Sequence, residues 1–164
     1  MVGVCQVDEA AKRACLGMLP YGLLVLTAQA DGQASGMAIN WVSQCSFKPP
    51  LVTVAVETDS HTLALARASG RFALTLLRPE QRQVATSLSR PWKLVPTKLD
   101  QVSLARLDSG LPVPAGGLGA IECAIRGEHV YGDHVLLIGE VTEATVWDKG
   151  EPLTLQAAGL RYGW

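Results

Sequence analysis

One segment of the sequence places short polar side chains between two apolar runs. It extends from Asn40 to Pro50 and contains two amides, two serines, a thiol, a lysine and two consecutive prolines that stiffen its exit. Such a connection can present backbone N–H groups, hydroxyls and an ammonium group to an anion or to the polar edge of a planar heterocycle. Binding of a phosphorylated cofactor is one interpretation. An ordinary turn, whose side chains satisfy their own backbone, explains the composition about equally well.

Two other short stretches have residue types that suit binding or redox chemistry. Ser60-His61-Thr62 opens a predicted helix, where free N–H groups and the helix dipole favour an anion and both hydroxyls could reach a phosphate oxygen. Simple N-capping by Ser60 is the commoner role of such a residue. Gly132-Asp133-His134 lies at the turn into the most apolar strand, where an isolated histidine is more often a surface residue than a catalytic one.

Signatures of other catalytic and cofactor sites are absent from the sequence. There is no G-x-G-x-x-G after a strand, no P-loop and no G-x-S-x-G, and Gly117-Leu118-Gly119 lacks the third glycine. Cys5, Cys15, Cys45 and Cys123 are far apart, with no C-x-x-C pair and no histidine at zinc-ligand spacing. We therefore expect no metal site and four reduced, partly buried thiols.

Composition limits the class of protein. The 164 residues fit a single domain over 1–164, and the 48% apolar content provides for a substantial core. The 14 Lys and Arg balance 15 Asp and Glu without runs, which disfavours nucleic-acid binding. The stretch from Met1 to Lys12 has no basic segment followed by an apolar run, and no later stretch reaches the roughly 18 apolar residues of a membrane span. We expect a soluble, cytoplasmic protein.

The hydrophobic pattern predicts strands joined by hairpins, with short helices between them. Asp31-Gly32 is a strong hairpin signal, and Ser89 to Gly117 is a long excursion rich in Pro, Gly and Ser that could form a lid. Six or so strands argue for an antiparallel barrel rather than a doubly wound sheet. The predicted helices are Glu9 to about Gly17 after Asp8, Ser60 to Arg67, and Pro79 to Ala85. The predicted strands are Tyr21–Ala28, Ala34–Val42, Leu51–Val56, Arg71–Leu77, a stretch around Ile121–Ile125, and Val135–Val146, the last two forming one long hairpin.

Three stretches of the chain, in order, resemble the flavin reductase-like family of FMN-binding split barrels. Gly36 to Pro50 is similar to the family's run of small residues, Asn or Trp, spaced serines and a double proline. Gly132 to Val141 resembles its Gly-Asp-His turn and the apolar strand closed by Gly-Glu-Val, and Glu151 to Gly163 resembles its Pro-Leu and terminal Tyr. The resemblance is weakest in Ser89 to Gly117, where Trp92 could cover a flavin or simply pack.

The resemblance implies a mainly β fold with inserted helices, an antiparallel split β-barrel of the FMN-binding type. It also implies which residues form the site. The cofactor-binding residues would be Met37, Ala38, Ile39, Asn40, Trp41, Val42, Ser43, Cys45, Ser46, Lys48, Ser60, His61 and Thr62. The nicotinamide-binding residues would be Gly132, Asp133, His134 and Tyr162, with His134 as the catalytic residue.

The activity implied by the resemblance is that of an NAD(P)H:flavin reductase. A nicotinamide dinucleotide, NADH or NADPH, would pass hydride to N5 of FMN, or of FAD, and the electrons would go on to a protein or small-molecule acceptor. Since hydride transfer is the cofactors' own chemistry, no catalytic triad or carboxylate pair is needed; backbone amides and Lys48 could stabilise the reduced flavin's charge. The family is typically homodimeric.

Two other functions remain open at this point. The chain could be an FMN-binding electron carrier that a protein partner reduces, or a barrel with a structural role and no cofactor. The related pyridoxamine-phosphate-oxidase-like barrels also bind FMN, but the Gly-Asp-His stretch points away from them. The sequence does not decide FMN against FAD, NADH against NADPH, or bound against released flavin.

Overall fold

The computed structural model describes residues 7–162, in which strands predominate. Cys5 and Gly163, which entered the expectations above, lie outside this range. The helices are α1 (Glu9–Gly17), α2 (His61–Ser69) and α3 (Arg82–Leu88), with 3-10 turns at Pro79–Gln81 and Lys98–Gln101. The strands are β1 (Leu24–Ala30), β2 (Gln33–Ile39), β3 (Val42–Ser46), β4 (Leu51–Glu57), β5 (Arg71–Leu76), β6 (Leu104–Arg106), β7 (Pro112–Pro114), β8 (Gly119–Tyr131) and β9 (His134–Val146).

Seven of these strands form one antiparallel sheet in the order β2-β1-β5-β8-β9-β4-β3. β2 and β3 are therefore opposite edges, yet Asn40 and Trp41 alone connect them. Laid flat, seven strands would separate the edges by about 29 Å, whereas this connection spans at most about 11 Å. The sheet must therefore curl until its edges face each other. Within residues 7–162 no ladder joins β2 to β3, so the fold is a split antiparallel barrel, as expected.

Local sequence signals explain where several elements begin and turn. Asp31 and Gly32 connect β1 to β2 with φ angles of 50° and 76°, the left-handed values that a tight two-residue hairpin turn requires. Asp8 caps α1 by accepting hydrogen bonds from the N–H groups of Ala10 and Ala11. Ser60 caps α2 through Leu63. The hairpin and the Ser60 cap confirm the sequence-based predictions.

The expectation that Asn40 to Pro50 is a connecting loop is wrong for its central part. Val42–Ser46 is strand β3, which pairs with β4 through a tight turn at residues 47–50. β3 is an edge strand whose central residues, Ser43 to Cys45, are exposed. Such a strand tolerates polar side chains because neither of its faces needs to be apolar. The composition of β3 therefore resembles that of a loop.

Other boundaries also differ from the predictions. β2 ends at Ile39 rather than Val42, and β1 begins at Leu24 rather than Tyr21. The excursion from Ser89 to Gly117 contains a 3-10 turn and the β6–β7 ribbon, which covers a small buried cluster around Leu111. β8 and β9 form the long hairpin that the sequence predicts. No helix within residues 7–162 is long and apolar enough to cross a membrane.

The barrel interior is packed around Phe72, whose side chain is fully buried. It belongs to a buried cluster with residues of β1, β4, β5, β9 and α2, among them Leu26, Val54, Leu63, Leu74 and Leu137. Gly139 of β9 lies so close that a Cβ atom there would be 2.6 Å from Phe72 Cζ and 2.8 Å from Cys123 Cβ. The absence of a side chain at this position allows β9 to lie over the phenyl ring.

Substituting Gly139 with alanine is expected to destabilise the protein by roughly 1–3 kcal/mol, because the new methyl group overpacks the core. Gly127 is the matched control: it lies on the same hairpin and has no atom within 4 Å of its ideal Cβ position. Gly127→Ala should change the free energy of unfolding by less than about 0.5 kcal/mol. Urea denaturation of both variants measures the difference, and equal effects would contradict the packing around Phe72.

Candidate functional site

A groove of about 230 Å³ lies where the N-terminus of α2, the end of β4 and the segment after α3 meet. These elements are distant in sequence, and the curled sheet brings them together. The groove is lined by Met37, Ala38, Glu57, Asp59, Ser60, His61, Thr62, Leu88, Ser89, Arg90, Pro91, Trp92, Lys93, Lys98 and Tyr162.

The N-terminus of α2 forms one wall of the groove. The Ser60 hydroxyl accepts a hydrogen bond from the N–H of Leu63 at 3.4 Å and lies 3.3 Å from the sulfur of Met37. Thr62 is buried, and its hydroxyl is 2.9 Å from that of Ser35. Because both hydroxyls have partners inside the chain, the backbone N–H groups of the first turn are the anion-binding groups that α2 offers.

The segment from Ser89 to Thr97, here called the cover, closes over this wall. The Trp92 indole stacks on the His61 ring with centroids 4.0 Å apart and planes inclined by 20°. Lys93 forms an ion pair with Asp59 at 2.7 Å. Two consecutive residues of the cover, Trp92 and Lys93, therefore hold it to the start of α2.

Lys98 holds the base of the cover from inside. Its side chain is only 4% exposed, and Nζ donates hydrogen bonds to the carbonyl oxygens of Leu88 at 2.9 Å and Arg90 at 2.8 Å. Burial lowers the pKa of this ammonium group to about 8, and the charge of Glu57 opposes that shift. Lys98 thus places a positive charge below the groove and binds the carbonyl groups at the end of α3.

The start of β9 supplies a second set of polar groups. Antiparallel pairing puts His134 opposite Glu57, and Thr58 N–H donates to the carbonyl of Asp133 at 3.0 Å. His134 Nδ1 is 2.5 Å from Asp133 Oδ1, and Nε2 is 2.8 Å from the Tyr162 hydroxyl. Tyr162 in turn donates to Glu57 Oε1 at 2.8 Å.

These contacts also shift two ionisation equilibria. Burial, followed by the hydrogen bond and negative charge of Glu57 and the charge of Asp133, raises the pKa of the Tyr162 phenol. The hydrogen bond and charge of His134 lower the pKa of Asp133. At neutral pH, Tyr162 is therefore a phenol and Asp133 a carboxylate.

Trp41 lies between β2 and β3, at the split of the barrel, and contacts this cluster. Its ring lies 4.7 Å from that of His134 and 5.3 Å, edge to face, from that of Tyr162. Glu57 and Tyr162 belong both to the cluster and to the groove lining. Trp41, Glu57, Asp133, His134 and Tyr162 therefore form the rim cluster, which is continuous with the groove.

The environment of Asn40 indicates whether the residues of the site fit a flavin. This residue is 7% exposed, and its Nδ2 has no hydrogen-bond partner within residues 7–162. It lies between Ala38 in the groove wall and Trp41 in the rim cluster. A buried amide donor without a partner costs free energy unless a ligand acceptor meets it, and the edge of an isoalloxazine ring carries such acceptors. The residues present fit a flavin.

The structure brings together most, but not all, of the residues that the resemblance assigned to the site. Met37, Ala38, Ser60, His61 and Thr62 meet at the groove, and Trp41, Asp133 and His134 meet Tyr162 at its rim. Ile39 points into the core, whereas Val42 and Ser43 continue along β3. Cys45, Ser46 and Lys48 lie at the opposite end of β4 from Glu57, about 20 Å along the strand. Gly132 forms the β8–β9 turn with φ of 60°.

Sequence reasoning missed Glu57, Asp59, Lys93 and Lys98. Glu57 ends a strand and Asp59 precedes a helix cap, so both resemble ordinary polar boundary residues. Lys98 lies within the irregular excursion, where the sequence gives no periodicity to indicate burial. The sequence offered one signal for Glu57. It is an acidic residue at the end of an apolar strand, next to a predicted anion site.

A larger depression, about 510 Å³ and widely open, lies on another face around Gly70 and Gly127. Its charged side chains are already paired, Arg67 with Glu128 and Arg126 with Glu140. The chemistry therefore favours the smaller groove, which contains the start of α2 and reaches Glu57 and Tyr162 of the rim cluster.

Comparison with known proteins gives the family. The flavin reductase like domain model matches residues 16–163. The chain belongs to the flavin reductase-like family. Among its relatives is the NADH-dependent FAD reductase of Streptomyces globisporus, 29% identical over 158 residues that cover 94% of this chain and 85% of that protein.

Solved structures of other flavin reductases have the same fold. The S. globisporus C-1027 NADH:FAD oxidoreductase SgcE6, in complex with NAD and FAD fragments, superposes with a TM-score of 0.82 at 28% identity and covers 96% of this chain and 93% of that one. BorF, the flavin reductase component of a bacterial two-component tryptophan halogenase, has a TM-score of 0.80 at 27% identity, covering 92% and 95%. The groove thus lies in a flavin reductase fold.

Proposed function

We propose that this flavin reductase-like chain takes hydride from NADH or NADPH onto a flavin held in the groove and passes the electrons on to an acceptor. The Streptomyces globisporus relative is an NADH-dependent FAD reductase, and the chain is an NAD(P)H:flavin reductase. The assignment of this activity to the groove rests on one observation. The groove shares Glu57 and Tyr162 with the rim cluster, and the unsatisfied donor of Asn40 belongs to the residue that precedes Trp41 of that cluster, so two planar cofactors would have adjoining binding surfaces.

Each part of the site has a distinct role in this proposal. A bound flavin supplies the redox chemistry, since its N5 accepts the hydride. Asn40 donates a hydrogen bond to the flavin edge, and the first N–H groups of α2 meet the flavin phosphate. The cover excludes water from the groove with Trp92. His134 and Tyr162 orient the nicotinamide dinucleotide at the rim. Trp41 packs against the rings of both residues.

We also propose that the working unit is a homodimer. The groove of about 230 Å³ is smaller than the usual range for sites that enclose a drug-sized ligand. Cys45, Ser46 and Lys48 are remote from the groove of their own chain, so a flavin role for them requires the groove of a second copy. Both observations support a shared site, whose symmetric interface would place one copy's β3–β4 hairpin at the other's groove.

The physiological acceptor in this proposal is a flavin-using partner enzyme. BorF is the reductase component of a two-component halogenase, and the Mycobacterium tuberculosis relative HsaB is a reductase subunit of a flavin-dependent monooxygenase. A location in the cytoplasm fits the exposed thiols of Cys15 and Cys45, which a reducing compartment would preserve.

Anaerobic titration tests the function directly. Purified protein is mixed with FMN or FAD and then with NADH or NADPH while the oxidised-flavin absorbance is followed. A reductase bleaches the flavin with one equivalent of dinucleotide, and the four combinations identify the preferred pair. If the protein binds flavin but leaves it oxidised, the chain is an electron carrier; if it binds none, the cofactor-free alternative holds.

Asn40→Asp is expected to weaken flavin binding by about 10-fold or more, because an acceptor replaces the buried donor at nearly the same volume. Fluorescence titration of the apoprotein with FMN and FAD measures the dissociation constants. Gln44→Glu makes the same amide-to-acid change on exposed β3 and should leave them within about 2-fold. Equal losses in both variants would contradict a flavin contact at Asn40.

A further inference from the structure

The cover has a buried base and an exposed tip. At the base, the side chain of Lys98 is buried and binds the carbonyl oxygens of Leu88 and Arg90. This contact ties the end of the cover to its beginning. At the tip, the side chain of Lys93 is 71% exposed and that of its partner Asp59 is 68% exposed. The base is therefore fixed from inside, whereas the tip is held from the surface.

The tip folds on itself and does not pair with the wall that it covers. The carbonyl oxygen of Pro91 accepts hydrogen bonds from the N–H groups of Leu94 and Val95, both at 3.1 Å. Within residues 7–162, no backbone hydrogen bond joins residues 91–95 to α2. The side chains of Trp92 and Lys93 make the stack and the ion pair that join the tip to the start of α2. A compact turn held by side chains alone can move as a unit.

The tip closes the groove at the end where α2 begins. His61 is the first residue of α2, so the indole of Trp92 that stacks on its ring lies against the first turn of the helix. Five of the fifteen residues that line the groove belong to the cover. In the proposed function, the N–H groups of this first turn meet the flavin phosphate. A flavin that reaches them must therefore move the tip aside.

We propose that the cover is a gate to the groove, that the Lys93–Asp59 ion pair is its latch, and that opening of this latch limits both the entry and the exit of flavin. The gate rests on the proposed function, because it takes flavin to be the ligand of the groove. An exposed ion pair contributes little to stability and is screened by salt. Such a contact is suited to breaking in every cycle of binding and release.

A latch and a direct contact with flavin differ in their kinetics. If Lys93 bound the flavin itself, its loss would weaken binding, mainly by raising the dissociation rate. A latch that is closed in both the free and the loaded protein stabilises both states equally. Its loss therefore speeds association and dissociation together and leaves Kd nearly unchanged.

Stopped-flow fluorescence of FMN and of FAD, each measured separately, determines the two rate constants. Asp59→Asn and Lys93→Met should each raise both constants by about 2- to 5-fold, with Kd within about 2-fold of the wild type. The double variant should behave like either single variant, because all three lack the same contact. At about 0.5 M NaCl the ratio of variant to wild-type rates should fall towards one, because salt screens the pair.

Glu128→Gln is the matched control, since it makes the same acid-to-amide change in an exposed ion pair with Arg67 on another face. It should leave both rate constants as in the wild type. Unchanged constants in Asp59→Asn and Lys93→Met would overturn the gate. A rise in the dissociation rate alone would also overturn it, because it would make the pair a flavin contact.

Fluorine NMR tests the latch without flavin. The full chain is labelled with 5-fluorotryptophan, and a Trp92→Phe spectrum identifies the Trp92 signal among the four tryptophans. In Asp59→Asn this signal should move towards that of a solvent-exposed indole, whereas in Glu128→Gln it should stay in place. A Trp92 signal that is the same in Asp59→Asn and in the wild type would overturn the latch.

The same proteins separate the gate from the reductase activity. If the signal and the exchange rates change as expected but NADH leaves the flavin oxidised, the gate stands and the reductase function fails. If NADH reduces the flavin while neither variant changes its exchange, the reductase function stands and the gate is overturned. A protein that binds neither FMN nor FAD would overturn both.

Discussion

Replacing His134 with alanine is expected to lower kcat/KM for NADH by about 10- to 100-fold, while flavin affinity stays within a few-fold of the wild type. A charge-assisted hydrogen bond to a ligand contributes about 1.5–3 kcal/mol, which corresponds to this range. His134 lies at the rim, and in the proposed function Asn40 supplies the buried flavin contact, so the loss should concern the dinucleotide. Anaerobic stopped-flow mixing of the flavin-loaded protein with NADH measures the rate of flavin bleaching directly.

His129→Ala provides the comparison for this experiment. His129 lies on β8 near the same hairpin tip, is exposed and packs near Tyr131 rather than the rim cluster. Its removal should leave the bleaching rate within about 2-fold. A His134→Ala protein that bleaches at the wild-type rate would remove His134 from the site, whatever its contacts with Tyr162.

Replacing Lys98 with methionine is expected to flatten the dependence of stability on pH between about pH 8 and 10. Burial lowers the pKa of Lys98 from 10.5 to about 8 in the folded chain. In that interval the unfolded chain binds more protons than the folded one, so the free energy of unfolding of the wild type rises with pH. The burial penalty is fully present below pH 8 and is relieved progressively above it, by up to about 3 kcal/mol.

Urea denaturation at pH 7.5, 8.5, 9.5 and 10 measures this effect as the difference between wild type and Lys98→Met. At pH 7.5 the loss of the donor to the carbonyl groups of Leu88 and Arg90 opposes the relief of the burial penalty, so the quantity that decides is the slope of the free energy of unfolding with pH. Lys93→Met, which removes an exposed lysine from the same cover, should follow the wild-type pH dependence. Parallel curves for wild type and Lys98→Met would mean that Lys98 is not buried as a charged group.

The elements that carry a local signal could be predicted from the sequence. The Asp31-Gly32 turn, the Ser60 cap and the long β8–β9 hairpin each depend on residues close together in the chain. The pattern of strands and hairpins also indicated an antiparallel barrel, and the resemblance added that this barrel is split. The edge strand β3 was missed because an exposed edge tolerates the polar residues of a loop.

The polar contacts of the site were harder to predict because they join residues that are remote in sequence. Tyr162 donates to Glu57 across 105 positions, and Lys93 reaches Asp59 across 34. The buried position of Lys98 depends on how the cover folds back against α3. Types and spacing show which residues could do chemistry, whereas such pairings follow only from the closed arrangement of the sheet.

The pairing of β4 with β9 also determines at which point of synthesis and folding the site is complete. Residues 51–57 find their partners only at 134–140, and Tyr162 follows later still, so a growing polypeptide has no complete rim until Tyr162 has been synthesised. In the proposed function, flavin therefore binds the finished sheet and not its precursors. By mass action, such a ligand adds RT ln(1 + [L]/Kd) to the free energy of unfolding, which makes the supply of flavin in the cell a determinant of how long each copy survives proteolysis.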